Sequence, residues 1–287
     1  MINMQEFIEG QNMFKKYHVD DLLFVEFRCP TDESADSVWW HNNLFAYVLT
    51  GETRLKSLHN EYVLRERDCI FAKKGSITIQ SHIQENFCQL MVFMPDDFIR
   101  TTVRKYKITF KLSEDQDHSD TLIPIPNDDI IDSYFQSLAV HFSQNNSPNP
   151  ELLRLKFEEL IINILTSRNR YQSLRHYFQE ICLHERPSLK DIMEMNFHKN
   201  LSLEEYARLT ARSLTTFKQE FKKLFNTSPG KWLKNKRLDY SRYLLETTKL
   251  SIDDVCDLSG FKNKSHFTNA FKEKFESPPA QFRNLQQ

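Results

Sequence analysis

The chain has 287 residues, 40% hydrophobic and 13% aromatic, which is enough to fill the cores of about two domains. Its five glycines leave little material for the Gly-rich phosphate loops of nucleotide enzymes, and we recognise no such loop. The five cysteines are scattered and never form a CxxC pair, which disfavours a disulfide framework or zinc knuckle and favours a reducing cytoplasm. Neither a signal peptide nor a run of eighteen apolar residues is present, so we expect no membrane partner.

Charge is distributed unevenly along the chain, although its net value is only −1. Residues 188–287 carry 18 Lys and Arg against 12 Asp and Glu, a net charge of +6, and the preceding residues carry −7. A basic C-terminal third predicts a polyanionic partner. A solvated cationic face is the alternative, and charge alone does not choose between the two.

Residues 39–94 contain short β-prone runs separated by Gly51, Gly75 and polar turns. The runs are FAYVL, TRLKSL, YVL, CIFA, ITIQ and QLMVFM. Their spacing is typical of an antiparallel barrel. We therefore expect a small β-barrel in residues 1–126, which could hold one small ligand in its mouth through residues that the sequence does not identify.

A metal-dependent enzyme is one alternative for this barrel. A first-row metal needs three or four converging ligands, whereas His41, His59 and His82 occur singly. We interpret each as a structural or surface histidine. We also recognise no Ser-His-Asp set or paired carboxylates, and so predict no catalytic residue, metal site or cofactor.

Residues 127–185 change to helical periodicity. The segment DDIIDSYFQSLAVHF predicts one helix, SQNNSPNP a polar loop, and PELLRLKFEELIINILTSR a second helix beginning near Pro150. The second helix is unusually apolar. Packing against the barrel and pairing in a homodimer both explain it, and the two roles are compatible. Pro187 interrupts this helical region and Ser188 can cap a following helix, which places a hinge at residues 183–188.

The last hundred residues contain a repeat. The first unit (201–229) and the second unit (250–279) each open with Leu-Ser and an acidic pair, which is typical of a helix N-terminus. The apolar positions of this short helix are Leu203, Tyr206 and Ala207 in the first unit and Ile252, Val255 and Cys256 in the second. A second cap, Ser213 or Asn263, opens a longer helix, and a proline closes each unit. The second turn is one residue longer and contains Gly260, where the first has Ala211.

A short helix, a turn and a longer helix form the helix-turn-helix layout. The longer helices have phenylalanines every four residues, which predicts a buried stripe. Helical geometry places small polar and cationic residues on the opposite face, where they can reach base edges and phosphates in a major groove. These residues are Thr215, Gln219 and Lys222 in the first unit and Ser265, Asn269 and Lys272 in the second. Lys218 lies at the flank of the stripe.

The segment KWLKNKRLDYSRYLLETTK between the units predicts one long helix, with Trp232, Leu233, Leu238, Tyr240, Leu244 and Leu245 as its apolar positions. A continuous helix would hold the units rigidly apart. Both recognition helices could then enter successive major-groove segments of one duplex, about 34 Å apart.

These residues resemble the DNA-binding domain of the AraC/XylS family of transcription regulators, above all through Gly260-Phe261, His266-Phe267, Phe271, Phe275 and Pro278-Pro279. The resemblance covers about a third of the chain. It implies base or backbone contacts from Leu214, Thr215, Lys218 and Gln219 in the first unit and from Lys264, Ser265, His266, Thr268 and Asn269 in the second. The first turn, TARS, departs from the commoner glycine-containing turn of the family. The strands of residues 39–94 resemble the cupin-like domain that such regulators carry.

PDDFIR (95–100) and LTTFK also resemble the family branch that contains activators of type III secretion genes. The expected fold class is α+β: a cupin-like barrel (1–126), a helical dimerisation and linker segment (127–185) and an all-α DNA-binding domain (186–287). The expected function is a cytoplasmic, sequence-specific activator that binds double-stranded promoter DNA. A small effector or a regulatory protein would control it, and the family implies RNA polymerase as a partner. The alternatives are a cupin-type metal enzyme and a non-specific architectural DNA binder.

Overall fold

The computed structural model of the protein describes residues 2–28, 36–58, 60–82, 87–110, 120–143, 147–167, 170–184 and 186–284. Cys29, His59, Glu185 of the expected hinge and residues 144–146 of the polar loop lie outside these ranges. The chain divides into an N-terminal unit, Met1–Arg186, and a C-terminal unit, Pro187–Gln287. The N-terminal unit carries the β-sheets and the C-terminal unit is helical, so the α+β class is confirmed.

The strands of the N-terminal unit form two sheets. In chain order they are β1 (Ile2–Asn3), β2 (Lys15–Val19), β3 (Leu22–Arg28), β4 (Asp36–Trp40), β5 (Asn43–Thr50), β6 (Thr53–Lys56), β7 (Glu61–Leu64), β8 (Cys69–Ala72), β9 (Gly75–His82), β10 (Cys88–Met94) and β11 (Leu122–Ile125). The orders are β1-β4-β9-β6-β7 and β11-β8-β5-β10-β3-β2. All pairs are antiparallel except β1 with β4. Five of the six predicted runs lie within strands, and the sixth, TRLKSL (53–58), extends two residues beyond the end of β6.

The inner strands of the six-stranded sheet are buried on both faces, which explains their nearly continuous apolar runs. In β10, Leu90 and Val92 face one hydrophobic cluster, whereas Met91 and Phe93 face another. The second cluster includes Trp40 of β4 and so fills the space between the sheets. The first cluster contains the helices that follow the strands. A strand with two buried faces needs apolar residues at every position, and β10 has none exposed.

Helices cover the outer face of the six-stranded sheet. The helices of this unit are α1 (Met4–Gly10), α2 (Asp96–Lys105), α3 (Asp129–Ser143), α4 (Pro150–Thr166) and α5 (Gln172–Leu183). Both predicted helices are confirmed as α3 and α4. Most apolar side chains of α4 are buried against the sheet cluster: Leu153, Phe157, Leu160, Ile161, Ile164 and Leu165. Leu152 and Leu155 are 41% and 54% exposed. Packing therefore accounts for most of this apolar helix.

The PDDFIR motif joins α2 to the end of α5. Asp96 accepts hydrogen bonds from Asn43 and from the buried Lys74. Arg100 donates to the carbonyl of Ile181 at 2.8 Å and to that of His184 at 3.1 Å. Carbonyls at a helix C-terminus lack intrahelical donors, so Arg100 satisfies groups that would otherwise be unpaired. Hence this motif stabilises the fold of the N-terminal unit.

Seven helices are described in the C-terminal unit: α6 (Leu189–Asn196), α7 (Leu203–Leu209), α8 (Leu214–Phe225), α9 (Pro229–Thr247), α10 (Ile252–Leu258), α11 (Lys264–Phe275) and α12 (Pro279–Asn284). In the first helix-turn-helix unit, the predicted short and long helices are confirmed as α7 and α8. In the second helix-turn-helix unit, they are confirmed as α10 and α11. The connecting helix is α9, and Ser188 caps α6 as predicted.

The recognition helices end before the prolines, for a different reason than expected. Helix α8 stops at Asn226 (φ 51°) and α11 at Glu276 (φ 61°), both in the left-handed conformation. Such residues terminate helices by turning the chain. Pro229 then occupies the first turn of α9, where its missing N–H has no consequence.

Candidate nucleic-acid interface

Serine caps begin the short helix of each unit. Ser202 accepts from the Glu205 amide, and the Glu205 carboxylate accepts from the Ser202 amide at 2.6 Å. Ser251 and Asp254 form the same reciprocal capping box in the second unit. Hydrogen bonds from the Ser251 side chain and backbone lower the pKa of Asp254 below its ordinary value. Each unit thus has a fixed starting point.

The turns that follow bend at equivalent positions. Ala211 has φ 52° and Gly260 has φ 83°, so both lie in the left-handed region. The second turn holds one more residue before its cap, Asn263, as predicted. A buried hydroxyl closes each short helix: Thr210 donates to the Tyr206 carbonyl at 2.9 Å, and Ser259 donates to the Val255 carbonyl. These two hydroxyls were not predicted, although the repeat places both of them immediately after the short helix of their unit.

The phenylalanine stripe is the core of each unit. Phe217, Phe221, Phe267 and Phe271 are fully buried. Phe225 and Phe275, at the ends of the stripe, are half-buried and pack against Trp232 and Phe282. In the short helices Tyr206, Ala207, Val255 and Cys256 are buried, whereas Leu203 and Ile252 are half-buried. The apolar faces inferred from the sequence are therefore the packed faces.

The predicted contact residues lie mainly on the opposite, solvent-exposed faces. Exposed residues are Thr215, Lys218, Gln219 and Lys222 on α8 and Lys264, Ser265, His266, Asn269 and Lys272 on α11. Leu214 and Thr268 are half-buried. Because the residues of each helix share a few adjacent turns, each unit presents one polar surface starting at the N-terminal end of its recognition helix.

The two recognition helices differ in how their cations are paired. Among the ion pairs of the described residues, none involves Lys218 or Lys222 of α8, and Lys272 of α11 also takes part in none. On α11, by contrast, Lys264 Nζ lies 2.5 Å from Asp253 Oδ1 and Lys274 Nζ lies 2.7 Å from Asp239 Oδ1. Carboxylates of the second unit and of α9 therefore neutralise part of the positive charge of α11.

The backbone carbonyls of residues 196–199, at and after the end of α6, contact α9 and both helix-turn-helix units. Arg237 of α9 donates to the carbonyls of Phe197 at 2.7 Å and Lys199 at 2.6 Å. Tyr206 of the first unit donates to the Asn196 carbonyl at 2.7 Å. At the second unit, a Cβ on Gly260 would lie 2.5 Å from the His198 carbonyl oxygen. No periodic pattern in the sequence identifies these contacts, because they join different elements of the fold.

The described residues do not support a metal or thiol site. Within them, no group of three or more His, Cys, Asp or Glu side chains could hold a metal ion. His59 and the side chain of His82 lie outside the part of the chain that is described. Burial raises the pKa of the Cys69, Cys88, Cys182 and Cys256 thiols, that of Cys88 to about 11, so these thiols are protonated near neutral pH. No described helix is long and apolar enough to cross a membrane.

Comparison with known proteins relates both units to transcription regulators. The profile of the ExsA N-terminal regulatory domain matches residues 43–177, and that of a helix-turn-helix domain matches residues 206–285. The thermoregulatory protein LcrF of Yersinia pestis is 28% identical over 82% of this chain and 87% of its own length. The HTH-type transcriptional regulator ExsA of Pseudomonas aeruginosa is 24% identical over 82% of this chain and 84% of its own.

Among solved structures, an apo ToxT variant from Vibrio cholerae is 12% identical, with a TM-score of 0.44 over 95% of this chain and all of its own. The two matched profiles and the relatives that align along most of both chains agree with the paired helix-turn-helix units. Residues 43–177 and 206–285 therefore match the two domains of AraC-type transcriptional regulators, and the chain is similar to the branch that contains ExsA and LcrF.

Proposed function

We propose that the protein is a sequence-specific transcriptional activator that binds promoter DNA through α8 and α11 in adjacent major-groove segments. The observation that carries this proposal is the pair of matching units, each with exposed hydroxyl, amide and lysine side chains opposite a buried phenylalanine stripe. Lysines supply salt-dependent affinity through phosphates, and the smaller polar groups discriminate between bases. The relative ExsA supports the assignment because it is named an HTH-type transcriptional regulator.

Genomic sites bound in cells would identify the promoter and test its selectivity. On that promoter, Thr215→Ala or Asn269→Ala should weaken binding at least about fivefold, because a lost base contact typically removes that much discrimination. Binding to random duplex should change less than about twofold, since phosphate contacts remain. Fluorescence anisotropy on both duplexes measures the difference.

Two exposed residues of α9 provide matched controls. Thr247→Ala and Asn235→Ala remove the same side chains from outside the recognition helices. They should leave both affinities unchanged. Equal losses on promoter and random DNA for Thr215→Ala and Asn269→Ala would instead favour a non-specific architectural binder.

For the N-terminal unit the proposal is a cupin-like regulatory domain that works in the cytoplasm. Trp40, Met91 and Phe93 occupy the space between the sheets. A cavity of about 290 Å³ lies instead beside β11 and the start of α5, lined by residues 123–126 and 170–174. The filled space between the sheets favours control by a partner protein over an effector bound between them. The exposed Leu152 and Leu155 of α4 are the proposed homodimer contact.

Removing the N-terminal unit tests this regulatory role. A fragment of residues 187–287 should still bind the promoter. In cells, transcription from that promoter should no longer respond to regulation. The same transcription measurement reports whether the fragment recruits RNA polymerase. Unchanged control would contradict the regulatory proposal. A stoichiometric metal found by elemental analysis of the full chain would revive the cupin enzyme alternative.

A further inference from the structure

Equivalent positions of the two units carry different charges in front of the recognition helices. Asp253 is the second residue of α10, and Glu204 is the second residue of α7. The recognition helices begin with Lys264 in the second unit and with Leu214 in the first. The acid at this position therefore precedes a recognition helix that begins with a lysine in the second unit and with an apolar residue in the first.

Only the second unit forms an ion pair at this place among the described residues. Lys264 Nζ lies 2.5 Å from Asp253 Oδ1, and the two side chains are 58% and 64% exposed. Glu204 is exposed, and among the described residues its carboxylate takes part in neither a hydrogen bond nor an ion pair. The repeat thus supplies a natural comparison between an acid with a cationic partner and one without.

An exposed ion pair is weak enough for a DNA phosphate to replace. Such pairs contribute little in water, so Lys264 can exchange Asp253 for phosphate at low cost. Binding of a lysine to phosphate normally releases a counterion from DNA. Asp253, once it has lost Lys264, takes up a cation from solution, which cancels that release. The exchange would lower both the affinity gained from Lys264 and its salt dependence.

We propose that Asp253 competes with DNA phosphates for Lys264, so that the second unit contributes less electrostatic affinity than the first. This inference rests on the proposed DNA-binding function. Asp253 acts through Lys264 and is therefore a positioning residue that tempers binding by α11. The first unit lacks the competitor pair, so its exposed Lys218 and Lys222 act on phosphates directly.

The test compares full-length Asp253→Asn and Glu204→Gln variants, which remove one negative charge each at equivalent positions. Both keep the capping boxes formed by Ser251 with Asp254 and by Ser202 with Glu205. The probe is a fluorescein-labelled random-sequence duplex of about 30 bp, titrated by anisotropy between about 50 and 200 mM KCl. Thermal denaturation verifies that each variant is folded.

Asp253→Asn should bind about two- to fivefold more tightly than Glu204→Gln. For Asp253→Asn, the slope of log affinity against log salt concentration should be steeper than that of the natural protein by up to about 0.9, the contribution of one phosphate contact. Glu204→Gln should keep the slope of the natural protein. Equal affinities and slopes for the two variants would overturn the inference.

A double-mutant cycle with Lys264→Gln separates the ion pair from general charge effects. Lys264→Gln should weaken binding by less than about twofold in the natural protein and by about two- to fivefold in the Asp253→Asn background. Equal losses in both backgrounds would show that the pair does not compete with DNA. If the natural protein fails to bind the duplex at low salt, the proposed function itself is wrong, which is a distinct result.

Discussion

The two helix-turn-helix units place the same backbone bend in different surroundings. Ala211 and Gly260 both adopt positive φ, but Ala211 is exposed whereas Gly260 is buried beside the His198 carbonyl. An L residue pays only the local cost of the left-handed conformation when its side chain points into solvent. The second turn additionally needs the absence of a Cβ. Positive φ alone therefore does not require glycine in these turns, whereas a close backbone contact at the position of the Cβ does.

The units also differ in charge. Residues 203–225 carry five Lys and Arg against three Asp and Glu, a net +2, whereas residues 252–275 carry four of each. Lys264 pairs with Asp253 of the same unit, and Lys274 pairs with Asp239 of α9. Identical topology therefore does not imply equal shares of DNA affinity.

The largest expected effect is that of Gly260→Ala. The new Cβ would lie 2.5 Å from the His198 oxygen and 2.8 Å from its carbon, both backbone atoms that cannot rotate away. Overlap and the left-handed conformation together should lower the free energy of unfolding by about 3 kcal/mol. Urea denaturation of the full chain, followed by tryptophan fluorescence, measures the loss.

Gly230→Ala is the matched control for that substitution. Gly230 lies in the first turn of α9 and has no neighbouring atom within 4 Å of an added Cβ. We expect a gain of about 0.5 kcal/mol, because alanine restricts the unfolded chain. A similar loss for both glycines would mean that the His198 approach is not what excludes a side chain.

A smaller effect is expected from the helix caps. Ser202→Ala and Ser251→Ala each remove a side-chain acceptor from the N-terminus of a short helix and should each lower the free energy of unfolding by about 1 kcal/mol. Similar losses would show that the units depend equally on their caps. Hydrogen exchange of the amides of α7 and α10 should localise each loss to its own unit.

The cap of the second unit also has a pH dependence. Because hydrogen bonds from Ser251 lower the pKa of Asp254, its contribution to stability is complete above the ordinary carboxyl pKa of about 3.9 and is lost as pH falls below that value. In Ser251→Ala the pKa of Asp254 should rise toward its ordinary value. An NMR titration that finds it unchanged would contradict the role of these hydrogen bonds.

The last substitution, like Gly230→Ala, is expected to give a small gain in stability. Ala211→Gly relieves the left-handed conformation of an exposed alanine but increases the freedom of the unfolded chain. The net expectation is a gain of about 0.5 kcal/mol in the free energy of unfolding, measured by the same urea titration. A loss would show that Ala211 makes a packing contact that its exposure does not suggest.

The elements of the C-terminal unit could be predicted because their signals are local. Ser202, Ser251 and Asn263 are N-caps, which indicate a helix start from a pattern of about three residues. The four-residue spacing of phenylalanine indicates the buried side of each recognition helix. Exposure of Thr215, Gln219 and Asn269 follows from that spacing. The ion pair of Lys264 with Asp253 has no comparable signal, because it spans a turn rather than a helical repeat.

Long-range contacts explain what the sequence did not reveal. The strands β2 and β3 and the helices α1 and α2 lie outside the runs that were recognised. Arg100 binds carbonyls of α5 that lie 81 and 84 residues away, and Arg237 binds carbonyls 38 and 40 residues away. Such partners are selected by the folded geometry, so neither composition nor periodicity identifies them.

The connecting helix α9 has 19 residues and is therefore about 28 Å long, comparable to one turn of B-DNA. Arg237 anchors α9 to the carbonyls of Phe197 and Lys199, and the helix keeps a fixed length between the two helix-turn-helix units. For a DNA-binding function, this sets a phasing rule for the operator. Inserting about half a helical turn of base pairs between the two half-sites would rotate one of them to the far side of the duplex, beyond the reach of a single chain.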